Sequence, residues 1–257
     1  MVNVLVCIKR VPNSSGEVLL SEDEQSVDAR HVGYTVSPHE ECAVELATQV
    51  AGATGGQVTV LTLGPSEATE QLRNALAVGC TDAVLIEAEP DRFGPVDVAA
   101  AIAELVRTRE AAGTGYDLVL LGNDAADTVD FQVGVRLAYA LGRPVVTGIS
   151  TCEVRGDVVL ARGDGPGGTE IFEVPLPAVI AVMEGGVAPK YPSIPGRMKA
   201  KRAPLETVTS TVDPAGSGRV RLKLPPAQPS SVEILGEGPE AAPAVVDLLT
   251  RIGVLAR

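Results

Sequence analysis

Across residues 1–145 short apolar runs alternate with helix-period patterns, and that alternation leaves the chain few ways to fold. Runs at 2–8, 57–63, 83–87, 117–121 and 144–147 carry Val, Leu and Ile on consecutive positions, the mark of strands covered on both faces. Between them the spacing predicts helices over 38–51, 66–78, 95–111 and 128–141. The first helix start is fully specified. Ser37 stands at the N-cap, Pro38 at the first helical position and Glu40 where a capping box needs a carboxylate. Ala43, Leu46, Ala47 and Val50 then fall on one face. Gly79 and Gly142 close the second and fourth helices. Such alternation implies right-handed crossovers, so the expected fold class is α/β, a doubly wound and mostly parallel sheet.

Beyond residue 148 the pattern changes. Short strands are expected at 157–161, 170–174 and 178–182, the first two joined by the Gly-rich turn 162–168 as a hairpin. Antiparallel additions at one edge of the sheet are the natural reading. From 185 to 240 the chain is rich in Pro and Gly and poorly periodic, which predicts an extended C-terminal arm whose partner surface lies on another chain. An apolar-faced terminal helix is expected over 242–255. The organisation is then 1–184, an α/β domain; 185–202, a loop; and 203–257, an arm and helix.

Composition narrows the function. The formal charge is −12, with 33 acidic and 21 basic residues, which argues against nucleic-acid binding. No apolar stretch is long enough to span a membrane. The opening apolar run has no basic stretch ahead of it and is too short for a secretory signal, so a cytoplasmic protein is expected. With no Trp, four Tyr and three Phe, a site that grips flavin rings between aromatic side chains is not expected within this chain alone. Cys7, Cys42, Cys80 and Cys152 are scattered and read as buried free thiols. Two histidines, His31 and His39, give little material for a metal centre or a triad. A Gly-x-Gly-x-x-Gly after the first strand and a Walker lysine motif are both lacking, which disfavours a dinucleotide dehydrogenase and a P-loop NTPase.

Three constellations remain. Strand ends and helix starts at Cys7-Ile8-Lys9, Ser37-Pro38-His39-Glu40, Leu63-Gly64-Pro65 and 122–128 offer unpaired N–H groups to a phosphate, although every α/β domain has such turns. Residues 185–205 hold Lys190, Arg197, Lys199, Lys201 and Arg202 and no acid, beside Tyr191, Ile194 and Met198. That run reads either as a solvated loop or as a docking loop with apolar anchors and a basic rim. Asp164 in the Gly-rich turn reads first as a residue bonding its own backbone.

Four stretches, in order, resemble the beta (small) subunit of electron-transfer flavoproteins. Val4-Leu5-Val6-Cys7-Ile8-Lys9-Arg10-Val11-Pro12 resembles its opening strand. Ser37-Pro38-His39-Glu40 followed by Ala43-Val44-Glu45 resembles its Asn-Pro-x-x…Ala-Val-Glu helix start. Leu120-Leu121-Gly122-Asn123-Asp124-Ala125-Ala126-Asp127 is similar to its nucleotide loop. Leu176-Pro177-Ala178-Val179, then Pro189-Lys190-Tyr191 and Met198-Lys199-Ala200-Lys201, are similar to its Leu-Pro-Ala-Val…Pro-Arg-Tyr…Met-x-Ala-Lys signature.

The resemblance implies one half of an αβ heterodimer that shuttles electrons from flavin dehydrogenases to a membrane quinone oxidoreductase or another acceptor. FAD is then held mainly by the alpha subunit, and the beta subunit buries a structural AMP. The implied AMP contacts are Cys7, Ser37, Pro38, His39, Glu40 and Leu63, together with Gly122, Asn123, Asp124, Ala125, Ala126, Asp127, Thr128, Val129, Gln132 and Val133 of the loop. Lys190, Tyr191, Ile194, Arg197, Met198 and Lys199 take the place of the loop that anchors partner dehydrogenases, with Ile194 as apolar anchor. Asp164 falls where the family has a carboxylate that steers the mobile FAD domain, and the arm is implied to pack on the alpha subunit. No catalytic residue and no metal ligand is implied.

Departures from the family are Ser14 and His39 where aromatics are frequent, and Lys190 in place of Arg. In a bifurcating subgroup the beta subunit carries its own FAD and oxidises NADH. Residues 126–135 share Gln-Val-Gly with that subgroup's loop but lack its Gly between acids and its final Pro, which favours AMP. A stand-alone adenine-nucleotide-binding module is the alternative from a different class.

Overall fold

The structure, a computed structural model, describes residues 1–13, 18–226 and 232–255, so Ser14 lies outside the described residues. Strands β1 (Val4–Cys7), β2 (Val11–Pro12) and β3 (Tyr34–Thr35) precede helix α1 (Pro38–Thr54). β4 (Val58–Gly64), α2 (Thr69–Val78), β5 (Asp82–Glu87), α3 (Pro95–Ala111), β6 (Leu118–Gly122) and α4 (Val133–Leu141) then alternate. β7 (Val145–Arg155), β8 (Val158–Gly165), β9 (Gly168–Pro175) and β10 (Ala178–Val182) follow. Last come α5 (Ile194–Ala200), β11 (Leu205–Val208) and α6 (Ala242–Arg251).

Nine strands form one sheet in the order β11-β5-β4-β1-β6-β10-β7-β8-β9, and β2 pairs with β3 in a small antiparallel ribbon. All pairings from β11 to β7 are parallel, and β7–β8 and β8–β9 are antiparallel. This is the doubly wound α/β sheet with an antiparallel edge hairpin. Alternation along each strand splits the core into two layers. Val4 and Val6 pack with Ala43, Leu46 and Leu72 of α1 and α2; Leu5 and Cys7 pack with Ile102, Val106 and Leu137 of α3 and α4. The helices therefore lie on opposite faces, as right-handed crossovers require when the chain reverses direction across β1.

The structure departs from expectation at β10, at the start of α4 and along 203–222, and also in α5, a helix within the expected loop, and in β7, which runs on to Arg155. β10 is not an edge addition. It inserts in parallel between β6 and β7, with Val179 opposite both Val119 and Val145. Its sequence Ala-Val-Ile-Ala-Val is wholly buried, which suits a central strand and not an edge. The fourth helix begins at Val133 and not near 128, because Val129 and Phe131 have φ of 52° and 50°, outside helical backbone. Residues 203–222 stay on the body and do not leave as an arm. β11 extends the parallel sheet beside β5, from Leu205 opposite Ala83 to Val208 opposite Ile86.

Beyond β11 two carboxylates of α3 hold the chain. Glu104 accepts from the Ser210 hydroxyl at 2.7 Å and from the Thr211 hydroxyl at 2.6 Å. Asp97 accepts from the amides of Gly94 at 2.8 Å, Ala215 at 3.1 Å and Gly216 at 2.9 Å. Burial alone would raise the Asp97 carboxyl, but those amides outweigh it and hold it below its usual range. Residues 1–222 form one compact unit and 223–257 a second. Within the second, α6 has no buried residue, and Val246, Ile252 and Val254 are exposed. Among the described residues no helix is long and apolar enough to cross a membrane.

Asp97→Ala strands three amides at the α3 start and in 215–216. It should lower the unfolding free energy by about 1–3 kcal/mol in urea denaturation and make residues 210–217 a preferred site of limited proteolysis.

Candidate functional site

β1 sits between β4 and β6, and the chain leaves it toward β4 on one face and returns to β6 on the other. The carboxyl ends of β1 and β6 therefore flank a crevice, the place where open α/β sheets hold ligands. α1 points its N-terminus at that end, and the loop 123–132 leads from β6 into α4.

A single carboxylate ties the crevice together. Glu40 is 5% exposed and accepts from the Lys9 amide at 2.6 Å and from the Ser37 amide and hydroxyl at 2.9 Å each. The Glu40 amide donates back to Ser37 Oγ at 3.3 Å, completing the capping box that the sequence spells. The start of α1 is thereby bonded to the end of β1. Burial pushes the Glu40 carboxyl up to about 7, against the lowering effect of the Ser37 and Lys9 hydrogen bonds. Gly122 makes the third side. A Cβ there would stand 2.8 Å from Glu40 Cγ and 3.3 Å from His39 Cβ, so only glycine lets β6 end against α1.

The loop is pinned by charge and amide contacts. The Lys9 ammonium meets Asp127 Oδ1 at 2.7 Å. Asn123 donates its amide to Val182 O and accepts from the Gly148 amide at 2.8 Å, which ties the loop to β10 and β7. His39 Nδ1 stands 3.1 Å from Asp124 Oδ1, a charge-pair distance, yet the two are out of line and neither makes a hydrogen bond. The His39 imidazole, an implied AMP contact, faces a carboxylate of its own chain. Thr128 Oγ1 is buried without a partner, and the first turn of α4 carries no side-chain cap. Cys7 lies beneath the crevice with its thiol pushed up to about 12 by burial and by the Glu40 charge, so it is a packing residue and not a nucleophile. Leu63 is half-buried at the end of β4, on the same edge of the sheet.

These residues, apart from the loop 190–199 and Asp164, converge on one end of the sheet. An anion fits the donors found there: an orphaned hydroxyl and uncapped helix amides want acceptors. Of the acids nearby, Asp127 is paired with Lys9, and Asp124 stands 3.1 Å from His39 without a hydrogen bond. Lys9 is the contact that sequence reasoning undervalued; a lysine directly after a buried parallel strand was its only signal.

Residues 190–199 form a separate site against α1 and α2. Tyr191, Ile194 and Met198 are 95%, 80% and 59% exposed. Ser193 caps α5 through the Gly196 amide at 3.1 Å. Gly196 packs so close that a Cβ would stand 2.3 Å from Ala77 O. Arg197 and Lys199 are exposed, as a basic rim requires. The Lys190 side chain is 59% exposed, and its ammonium also reaches Glu45 Oε1 at 2.9 Å, where Glu45 is 4% exposed. Sequence reasoning passed over Glu45 as a helix residue. Asp164 is exposed near the tip of the β8–β9 hairpin, opposite Thr169.

Because the Glu40 carboxyl titrates near 7 in the folded chain and near 4.5 otherwise, its contribution is complete below about 4.5 and is lost as pH rises through about 7. Urea denaturation should show the stability of the wild type over Glu40→Gln declining between about pH 5 and pH 7 and levelling above; a gap that grows with pH would refute the assignment.

Comparison with known proteins agrees with this geometry. The family model described as Electron transfer flavoprotein domain matches residues 26–213. The Electron transfer flavoprotein subunit beta of Bacillus subtilis is 33% identical over 256 residues, covering 96% of this chain and 97% of its own. The protein of that name from Syntrophomonas wolfei is 32% identical over 237 residues, covering 91% and 90%. That from Megasphaera elsdenii is 30% identical over 232 residues, covering 88% and 84%. The match runs through the crevice, residues 190–199 and β11 alike, and the chain belongs to the electron transfer flavoprotein beta-subunit family.

Proposed function

We propose that this chain is the non-catalytic beta half of a cytoplasmic αβ electron carrier that takes electrons from flavin dehydrogenases and passes them to a quinone oxidoreductase or another acceptor. A structural AMP occupies the crevice, and the electron-carrying FAD is held mainly by the alpha subunit. FAD supplies the redox chemistry; this chain supplies a rigid platform. The observation that carries the nucleotide reading is the set of unmet donors at the crevice, Thr128 Oγ1 and the uncapped α4 amides, on a loop braced by Asn123 and Lys9. Thr128 and the amides of Val133 and Gly134 would hold the phosphate. The strand ends at Cys7 and Leu63 would border the base, and the Ser37–Glu40 turn would close the pocket.

Partner binding is supported by two surfaces. The loop 190–199 presents three uncovered apolar side chains beside Arg197 and Lys199, a pattern suited to a partner with an apolar socket and an acidic rim. Residues 223–255 leave Leu224, Ile234, Val246 and Ile252 uncovered, which suits a segment that packs on the alpha subunit. Asp164, exposed on its hairpin, would steer a mobile FAD domain by charge.

Acid extraction of the purified heterodimer should release one AMP and one FAD, and Thr128→Val should lower the AMP fraction. Two FAD and no AMP would give the bifurcating reading, and a chain that purifies alone with an exchangeable adenine nucleotide would give the stand-alone module. Ile194→Ala should weaken docking of a donor dehydrogenase by about 1–3 kcal/mol, as loss of a central apolar anchor does. The check is the concentration dependence of electron transfer from that donor.

A further inference from the structure

The docking loop does not rest on a filled core. A cavity of about 330 Å³ lies beneath it, lined by Val44 and Val78 of α1 and α2, by Gln71, and by Lys190 and Tyr191 of the loop itself. Apolar packing therefore contributes little to the order of 189–192. What holds this stretch is polar. Glu45, on the second turn of α1, accepts from Lys190 Nζ at 2.9 Å and from Gln49 Nε2 at 2.8 Å. At the far end Arg73 of α2 donates through Nη1 to Ala200 O and, at 2.8 Å, to Ala203 O.

The two ties differ in what their loss costs. Arg73 grips neutral carbonyls, so breaking its contacts leaves no carboxylate without a cation. Glu45 is 4% exposed and borders the cavity, so lifting Lys190 away takes the cation off a largely buried carboxylate and leaves it Gln49. Breaking a pair whose other half stays buried is far costlier than losing a surface pair. Burial alone would raise the Glu45 carboxyl, yet Lys190 and Gln49 bring it below its usual range, so the pair holds as a charged one. The nearby charges are Glu41 on the same helix and Arg197 on the loop, both bordering the cavity, and neither forms an ion pair with Glu45.

We propose that the Glu45–Lys190 pair is a positioning latch, which fixes the backbone of 189–193 over the cavity so that Tyr191 and the entry to α5, a helix whose Ile194 and Met198 are set by packing on α2, meet a docking protein in one preformed arrangement. The inference rests on the docking reading of the loop. A preformed loop pays less ordering entropy on binding, so the latch acts on affinity and leaves the electron-transfer step alone. Glu45 and Gln49 touch neither donor nor flavin; they act through Lys190.

The test uses the flavin-loaded αβ heterodimer and any flavin dehydrogenase that reduces the wild type. Glu45→Gln keeps the shape of the side chain and removes the charge; Lys190→Arg keeps a cation and Lys190→Met does not. Hydrogen exchange should quicken at the amides of 190–197 in Glu45→Gln and Lys190→Met and stay near wild type in Lys190→Arg. The KM for the heterodimer as electron acceptor should rise about tenfold in the first two, with kcat unchanged. Unchanged exchange in Glu45→Gln would overturn the latch. Quickened exchange with an unchanged KM would overturn it as a docking device, and Ile194→Ala run alongside separates the causes. If that variant raises KM, the loop docks the donor without needing the latch; if it does not, the docking reading itself has failed. A variant that does not assemble is replaced by Gln49→Ala, which should quicken the same amides to a smaller degree.

Discussion

The crevice depends on one buried carboxylate. Glu40 accepts from the Lys9 amide on the strand side and from the Ser37 amide and hydroxyl on the helix side, and so joins β1 directly to the start of α1. Its position dictates its neighbours. β6 can end beside it only with glycine at 122, and that close approach brings Asp124 to His39 and Asp127 to Lys9. The loop that follows is then committed to a path through left-handed backbone at Val129 and Phe131 before α4 begins. A β-branched residue and an aromatic in that region carry backbone strain, and they do so on the segment that would carry a phosphate.

Several of the acids in this chain of charge −12 are internal ties and not surface charge. Asp97 gathers the amides of 215–216, Glu104 takes Ser210 and Thr211, and Glu45 takes Lys190. Each sits on a helix and reaches a stretch with little regular structure of its own. A Pro- and Gly-rich segment that lacks the apolar periodicity to bury itself is held through its backbone and short polar side chains. This is how 203–222 follows the sheet edge without a long helix or strand.

The parallel frame was legible because its strands are continuous apolar runs and its helices carry caps; α1 begins at Pro38 and α3 spans Pro95–Ala111, as the caps and spacing predict. The place of β10 was not legible. Its five residues look alike whether they lie at an edge or in the middle, and only burial on both sides tells the two apart. The start of α4 was missed because positive φ at Val129 and Phe131 has no residue-level signal; glycine or asparagine would have given one. In the crevice the Ser37–Glu40 box could be read from spacing. The pairs Lys9–Asp127 and His39–Asp124 could not, since their partners lie far apart along the chain and meet only once the sheet is assembled. The same holds for the Lys190–Glu45 pair, which brings a basic loop residue onto a buried acid of α1.

The insertion of β10 between β6 and β7 has a consequence for the order in which the molecule can be completed. A nascent chain that has emerged only as far as residue 177 holds every other strand of the sheet from β5 to β9, yet it has a slot between β6 and β7 with unpaired main-chain groups along both walls. Five residues made late in synthesis close that slot from both sides at once, with Val179 meeting Val119 and Val145 together. The two halves of the sheet, one bearing the crevice and the other the hairpin, are thus welded by a keystone from the latter part of the chain, and the Asn123 amide, bonded to Val182 O, is set only when that keystone drops in.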